Sequence, residues 1–517
     1  MSKAQAPEIR SLNATQLAEL LVGLRPLLPD RMYEQVAGLL QTLQWVLAII
    51  EQKKTTIARL QRLIFGGSTE KTGKLFPKES PSSPPKKPAR GHGRNGAKRY
   101  VGAARVAVPH PSLQAGGPCP ECAQEKGKLG LRPPSCLVRM TAQPIFAATV
   151  FELQQLRCNL CGRVFTAPAP PEAGPAKYDP KVGLMLGFLR FGNGVPHYRM
   201  EKMQQDFGVP LPQSTQWELM EEAAQDLEPV EQELTRVAAG GELLHNDDTP
   251  MRVQSLKKEK AGSERTGIFT TSIVAQAGPH PIALFFTGGD HAGENLDRVL
   301  QNRAADLEKP IQMCDALARN RSKEFEVLLA HCLPHGRRQF VEVAEHFPAE
   351  CQKVLESLSQ VFKHDAQARD LSLSPQQRLR FHQEQSQPVM DTLHTWMKEQ
   401  LEQKKVEPNS GLGQALQYML NHWEPLTLFL RVAGAPLSNN ICERALKMAI
   451  LHRKNSLSYK TQNGARVGDL FMSLIQTCRL NGANPFDYLT ALQRQAAAVK
   501  ANPADWLPWN YTRVATA

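Results

Sequence analysis

Two sets of side chains in this sequence have the types and spacing to hold metal ions. Cys119-Pro-Glu-Cys122 and Cys158-Asn-Leu-Cys161 are paired-cysteine knuckles. A pair of this kind on a turn lets both sulfurs and nearby backbone amides face one ion. Two such pairs supply the four thiolates of a closed tetrahedral site, so the expected cofactor is a structural Zn2+ that contributes directly to folding. The stretches between the pairs, CLVRMTAQP and FAATVFELQQLRC, are rich in β-branched residues and read as strands. Cys136 lies between the pairs with no partner at that spacing and reads as a small, buried apolar residue.

The second set is acidic. From Gly241 onward strands alternate with helices. GELLHNDDTPMRV, RTGIFTTSIVAQA and HPIALFFTGG read as three strands, AGENLDRVLQNR as a helix and KPIQMCDALARN as a fourth strand. FEVLLAHCLPHGRRQF then reads as a short strand running into a basic helix. This succession is the order of a ribonuclease-H-like fold. Asp247 closes the first strand and Asp315 the fourth, and those strands are neighbours in such a fold, so the two carboxylates can converge. Hard cations such as Mg2+ take oxygen ligands of this kind. Two of them about 3.5 to 4 Å apart can activate a nucleophile and stabilise a leaving oxygen at phosphorus. Acids at strand ends are also common as caps and surface groups, and spacing alone does not choose between these readings.

Further on, Ser438-Asn439-Asn440 can start a helix that places Glu443, Arg444 and Lys447 near one end. Glu443 and Lys447 are one turn apart and share a face. They read either as an exposed ion pair or, among Arg444, Lys447, His452, Arg453 and Lys454, as an acid of a metal site beside DNA phosphates.

These residues need a scaffold, and the chain divides accordingly. Residues 12–65 read as a helix whose apolar seam, Val36, Leu40, Leu43, Leu47, Ile50, Ile57 and Ile64, follows a 3.5-residue repeat. That is the pattern of a coiled coil, or of an amphipathic helix packed on its own domain. Residues 66–109 form a Pro-, Gly- and Ser-rich linker carrying Lys86, Lys87, Arg90, Arg94, Lys98 and Arg99, either a phosphate-binding arm or a solvated spacer. The zinc-binding domain spans 110–170. A helical unit spans 176–237, where Gly208-Val209-Pro210 breaks one helix. Ser214 or Thr215 can cap the next, with Glu218 placed to reciprocate, a helix-turn-helix-like arrangement. The α/β core runs over 241–490 with an all-helical insertion at about 342–432, and 491–517 is a C-terminal tail. The fold class expected is multidomain, mixed α and β.

The chain has 517 residues and a net charge of +12, a balance that suits a nucleic-acid partner. It has no apolar run long enough for a membrane span and no signal-peptide pattern at its start. Ten cysteines in a chain of this length make no disulfide scaffold, and a reducing, cytoplasmic home is expected.

Taken together, RLIFGGSTEK, GHGRNGA, CPEC, CNLCG, NDDTP, QMCDA, CLPHGRRQF, NNICER, HRKN and NPFDYL occur in an order that resembles the insertion sequence 66 family of bacterial transposases over nearly the whole length. The resemblance implies a DDE triad on a ribonuclease-H-like core, carried over to Asp247, Asp315 and Glu443, with Mg2+ or Mn2+ as catalytic cofactor. It implies cleavage of the element's ends and strand transfer into target DNA. His335, Arg337 and Arg338 match the family's basic block and imply phosphate contacts, to which Arg444, Lys447, Arg453 and Lys454 add. Implied partners are double-stranded DNA, as terminal repeats and target, a second copy of the chain or a higher oligomer, and accessory proteins of the same element. Two positions depart from the family pattern: Ser438 stands where an Asp is usual, and Asn246 precedes Asp247 where Ala or Thr is common. The competing reading is a zinc-containing DNA-binding regulator without catalysis, and a third is a host nuclease of the same fold.

Overall fold

A computed structural model describes residues 20–30, 32–40, 145–157, 164–259 and 266–515, with shorter pieces between 98 and 136. Cys119, Cys122, Cys158 and Cys161, most of the linker, and the seam beyond Leu40 lie outside the described residues. Val36 and Leu40 lie in a helical stretch, 32–40, and both are partly exposed.

Near the second knuckle, β1 (Gln155–Arg157) pairs antiparallel with β2 (Val164–Thr166), with Gln155 opposite Thr166. The strand expected from Phe146 is therefore only three residues long, because 147–154 is exposed and has no ladder. Cys136 is exposed rather than buried. Its described neighbours Arg132, Pro133 and Ser135 are exposed too and offer no apolar pocket.

The helical unit opens with α1 (Lys181–Gly187), which continues into a wider-wound turn at Phe188–Gly192. α2 (His197–Asp206) ends before Gly208, whose φ of +73° suits a residue without Cβ. α3 (Gln213–Ala239) begins before the expected caps. Pro212 is held extended at φ −60° and ψ 151°, so the helix starts at Gln213 and neither Ser214 nor Thr215 caps it. The turn is tied instead by Gln216. Its buried amide donates to the Leu211 carbonyl at 2.8 Å, and its oxygen meets His197 Nδ1 at 2.9 Å.

The sheet has five strands in the order β5-β4-β3-β6-β7. They are β3 (Leu243–Pro250), β4 (Phe269–Ala277), β5 (His280–Gly288), β6 (Ile311–Cys314) and β7 (Leu328–His331). β3, β4 and β5 are antiparallel, and β6 and β7 run parallel to β3. α4 (Ala292–Leu300) crosses from β5 to β6, and α5 (Leu333–Val343) follows β7. The insertion is helical throughout: α6 (Pro348–Asp370), α7 (Pro375–Gln385), α8 (Gln387–Glu402) and α9 (Gly411–Asn421). Next come α10 (Asn440–Ser456), α11 (Gln462–Leu480) and α12 (Pro485–Arg494).

Two apolar cores meet at this sheet. One gathers Leu184, Met220, Leu227 and Leu234 with Ile273, Leu284, Phe471 and Tyr488. The segments 176–237 and 241–490, read above as separate units, therefore share one interior. Val499, Trp506 and Leu507 are buried in it as well, so the segment read as a tail packs down. The other core joins Met313, Ala330 and Leu333 to Leu355, Met390 and Leu416 of the insertion.

The outer edge of β5 is covered by α11. Asp469 accepts from Thr287 N–H (2.6 Å), Ser473 Oγ from Phe285 N–H (3.0 Å) and Thr477 Oγ1 from Ala283 N–H (3.1 Å). Asn481, just past the helix, donates to the Pro281 carbonyl (2.8 Å). Four residues of helix rise about 6 Å and two residues of strand about 6.8 Å, so every fourth helix position keeps pace with every second strand position. A polar stripe thus satisfies backbone groups that an edge strand leaves open.

Candidate active site

β3 presents its residues alternately to two sets of partners, as a strand must. On one side His245, Asp247 and Thr249 face α10. His245 Nδ1 meets Asn439 Oδ1 at 3.0 Å, and Arg453 donates to Thr249 Oγ1 at 2.9 Å and to the Pro250 carbonyl. On the other side Asn246 donates to the Asn320 carbonyl at 2.7 Å, and Asp248 meets His291 (3.1 Å) and Arg319 (3.2 Å). Asp247 and Asp248 therefore have different neighbours and different environments. β3 extends to Pro250, and Asp247 is paired with Ser272 within the ladder rather than closing the strand. The ladder reaches further than expected because β4 continues alongside as far as Phe269. Asp315 stands where expected, directly after β6.

One amide joins the two aspartates. Asn320 Nδ2 donates to Asp315 Oδ1 at 2.7 Å and reaches Asp247 Oδ1 at 3.5 Å. Asn320 is buried, and its position is fixed by backbone and amide contacts. Gln312 Nε2 donates both to the Asn320 carbonyl (2.7 Å) and to Asn246 Oδ1 (2.9 Å), while Gln312 Oε1 accepts from Ser322 N–H (3.2 Å). Asp297 of α4 holds the same loop through Ser322 Oγ (2.5 Å) and Lys323 N–H (3.1 Å). Gly293 lets α4 approach this closely, since a Cβ there would lie 2.1 Å from the Arg321 carbonyl oxygen. None of these roles has a local sequence signal, because each is a pairing across many residues.

Asn439 does the same for the third acid. It is fully buried; its Nδ2 donates to the Asn246 carbonyl at 3.1 Å and its N–H to Cys332 Sγ at 3.3 Å. α10 therefore leaves the strand ends at a fixed place, with Glu443 in its first turn. Glu443 Oε1 lies 3.9 Å from His335 Nε2 of α5.

The electrostatics follow from this crowding. Burial pushes the Asp247 carboxyl up to about 7, and the charges of Asp315, Asp248 and Glu443 push the same way. The Asp248 N–H, 2.8 Å from Asp247 Oδ1, acts against them. A group of acids that repel one another around a half-buried carboxylate suits a divalent cation, which takes oxygen ligands and lifts the repulsion. The three acids are spread more widely than a single compact ligand set. Among the described residues, the group whose ligand atoms all lie within 4.8 Å of one another is Cys332, His335 and Glu443. Burial raises the Cys332 thiol to about 12.

Of the basic residues, Arg338, Arg444, Lys447 and Lys454 are exposed, and Arg337 and His335 are partly so. Arg453 has part of its guanidinium committed to β3. His452 lies in the interior, stacked on Tyr459 at 4.4 Å, and burial lowers it to about 3, so it is a neutral core residue and no part of a charged face.

A family model described as "Transposase IS66 family" matches residues 180–467. The chain is 27% identical over 380 residues to the uncharacterized protein y4hP of Sinorhizobium fredii, covering 70% of this chain and 68% of that one. It is 26% identical over 406 residues to the uncharacterized protein y4jD of the same organism, covering 74% of each.

Proposed function

The chain belongs to the IS66 family of transposases, and from that premise we propose that it is a DDE-type DNA transposase acting through Asp247, Asp315 and Glu443. The reading rests above all on one observation: Asp247 on β3 and Asp315 just past the adjacent parallel strand β6 are bridged by the single buried amide of Asn320. The sheet order, with the antiparallel strands on one side and the parallel strands on the other, supports a ribonuclease-H-like core. The donor set is all carboxylate oxygen and fits Mg2+ or Mn2+. Such ions, when bound, supply Lewis acidity at phosphorus and offset charge on its oxygens. Asp247, Asp315 and Glu443 would hold them.

The remaining steps belong to this chain's residues and to DNA. Water attacks the phosphodiester at the element's end and frees a 3′ hydroxyl, which then attacks a phosphodiester of the target. Asn320 keeps the two aspartates together, and Asn439 fixes the helix that carries Glu443. Arg337, Arg338, Arg444, Lys447 and Lys454, with His335, would meet the phosphates of double-stranded DNA, with Arg offering a two-pronged fork. Arg453 adds to them with whatever donors its contact with β3 leaves. Cys119, Cys122, Cys158 and Cys161 would hold the structural zinc, and the N-terminal seam would pair copies of the chain. The regulator reading drew on Ser438 in place of the family's Asp, but the neighbouring Asn439 makes the contacts that orient the helix.

Purified full-length chain, incubated with labelled ends of its own element and Mg2+, should cut at those ends and join them to target DNA, and a chelator should stop both. Retained DNA binding with no cleavage in Mg2+ or Mn2+ would favour the non-catalytic regulator.

A further inference from the structure

We propose that Cys332, His335 and Glu443 form a second cation site, selective for a thiophilic divalent ion of the zinc type, which shares Glu443 with the carboxylate site. Three features of the chain carry this. First, the ligand atoms of the three residues lie within 4.8 Å of one another. A tetrahedral zinc with its usual bond lengths needs them about 3.3 to 3.8 Å apart, so binding draws them together by about 1 to 1.5 Å at most. Second, Cys332 is the residue just before α5 and His335 lies in the helix's first turn, so one helix end aims both ligands. Third, Cys332 Sγ already accepts the Asn439 N–H at 3.3 Å. This N–H acts against the burial that raises the thiol, and a divalent ion at the sulfur would supply the rest of the charge that a thiolate needs.

The donor set decides the ion. One sulfur, one imidazole nitrogen and one carboxylate oxygen select zinc or cobalt over magnesium, whereas Asp247 and Asp315 offer only oxygen. Three protein ligands leave a fourth position open. Because Glu443 cannot serve both sites fully, a thiophilic ion at Cys332 and His335 draws it from the aspartates. The binding site itself is independent of the proposed catalysis; only the effect on cleavage rests on that reading.

Cobalt(II) is the probe. Full-length protein is first given about one equivalent of zinc, which four thiolates at the knuckles take in preference to a three-ligand site, and cobalt is then titrated in. The wild type should develop thiolate-to-cobalt charge-transfer absorption that Cys332→Ser abolishes. His335→Gln should weaken cobalt binding by about tenfold or more. His335 is partly exposed, so His335→Gln keeps the test valid should Cys332→Ser disturb the fold. A Cys119→Ser/Cys158→Ser variant should retain the signal, and a signal lost there but kept in Cys332→Ser and His335→Gln would overturn the proposal. So would identical spectra for wild type, Cys332→Ser and His335→Gln. Added zinc should also slow Mg2+-dependent cleavage by the wild type and spare Cys332→Ser. A Cys332-dependent cobalt spectrum with no effect of zinc on cleavage would leave the cation site standing and count against Glu443 as a catalytic ligand.

Discussion

Adjacent aspartates in β3 have opposite prospects. Asp247 is pushed up to about 7 by burial and by the acids around it, so its charge opposes folding. Asp248 has a fully buried side chain held by His291 and Arg319. Replacing Asp248 with Asn weakens those contacts and should cost about 1 to 2 kcal/mol, discounted because Arg319 is partly exposed. Asp247→Asn removes a repelled charge. For a carboxyl raised in the fold, stability is present below its unfolded value near 4 and is lost as pH rises to about 7. At pH 8 Asp247→Asn should therefore be at least as stable as the wild type. Urea denaturation of both variants at that pH measures this, and a destabilised Asp247→Asn beside an unaffected Asp248→Asn would reverse the assignment.

At the level of elements, the alternation of strands and helices after Gly241 was readable because each segment carries its own apolar period. The acids could be named as candidates because they stand beside those segments, but spacing left them equally readable as caps, and the triad came from the family resemblance. Asn320, Gln312 and Asn439 were not, since their partners lie far away in sequence or in a loop. The start of α3 was misplaced because two prolines, Pro210 and Pro212, set the extended entry and outweighed the capping preference of Ser214 and Thr215. α11 did carry a signal. Asp469, Ser473, Thr477 and Asn481 recur every fourth residue along a largely apolar stretch of the helix and just past its end, which marks a buried face with polar work to do. Burial pushes Asp469 up to about 7 in spite of its bonds to Thr287. Its charged form is therefore disfavoured in the fold, and the stability tied to the neutral form is lost as pH climbs from about 4 to about 7. Asp469→Asn keeps an acceptor without the charge. Its stability relative to wild type should rise over that window by on the order of a few kcal/mol and then level off. Thermal denaturation across pH checks it, and a gap independent of pH would mean that Asp469 is charged and compensated.

Across the whole molecule, the site stands where two cores abut. Asp247 lies on β3 beside the first, Asp315 and Cys332 follow β6 and β7 at the second, and α10 carries Glu443 across the strand ends. No helix among the described residues is long and apolar enough to cross a membrane. The net charge of +12 favours a polyanionic partner. If the N-terminal seam joins copies of the chain, Leu43→Glu with Leu47→Glu should lower the mass seen by light scattering, whereas an unchanged mass would remove the zipper. Chemistry at the three acids is separated from DNA binding by one paired measurement. Asp247→Asn, Asp315→Asn and Glu443→Gln are assayed for Mg2+-dependent cleavage of labelled element ends, beside gel shifts on the same DNA. Each should lose about three decades or more of cleavage rate while binding as tightly as the wild type, because binding draws on Lys and Arg elsewhere. Full cleavage by any of the three, or equal loss of binding and cleavage, would contradict the triad.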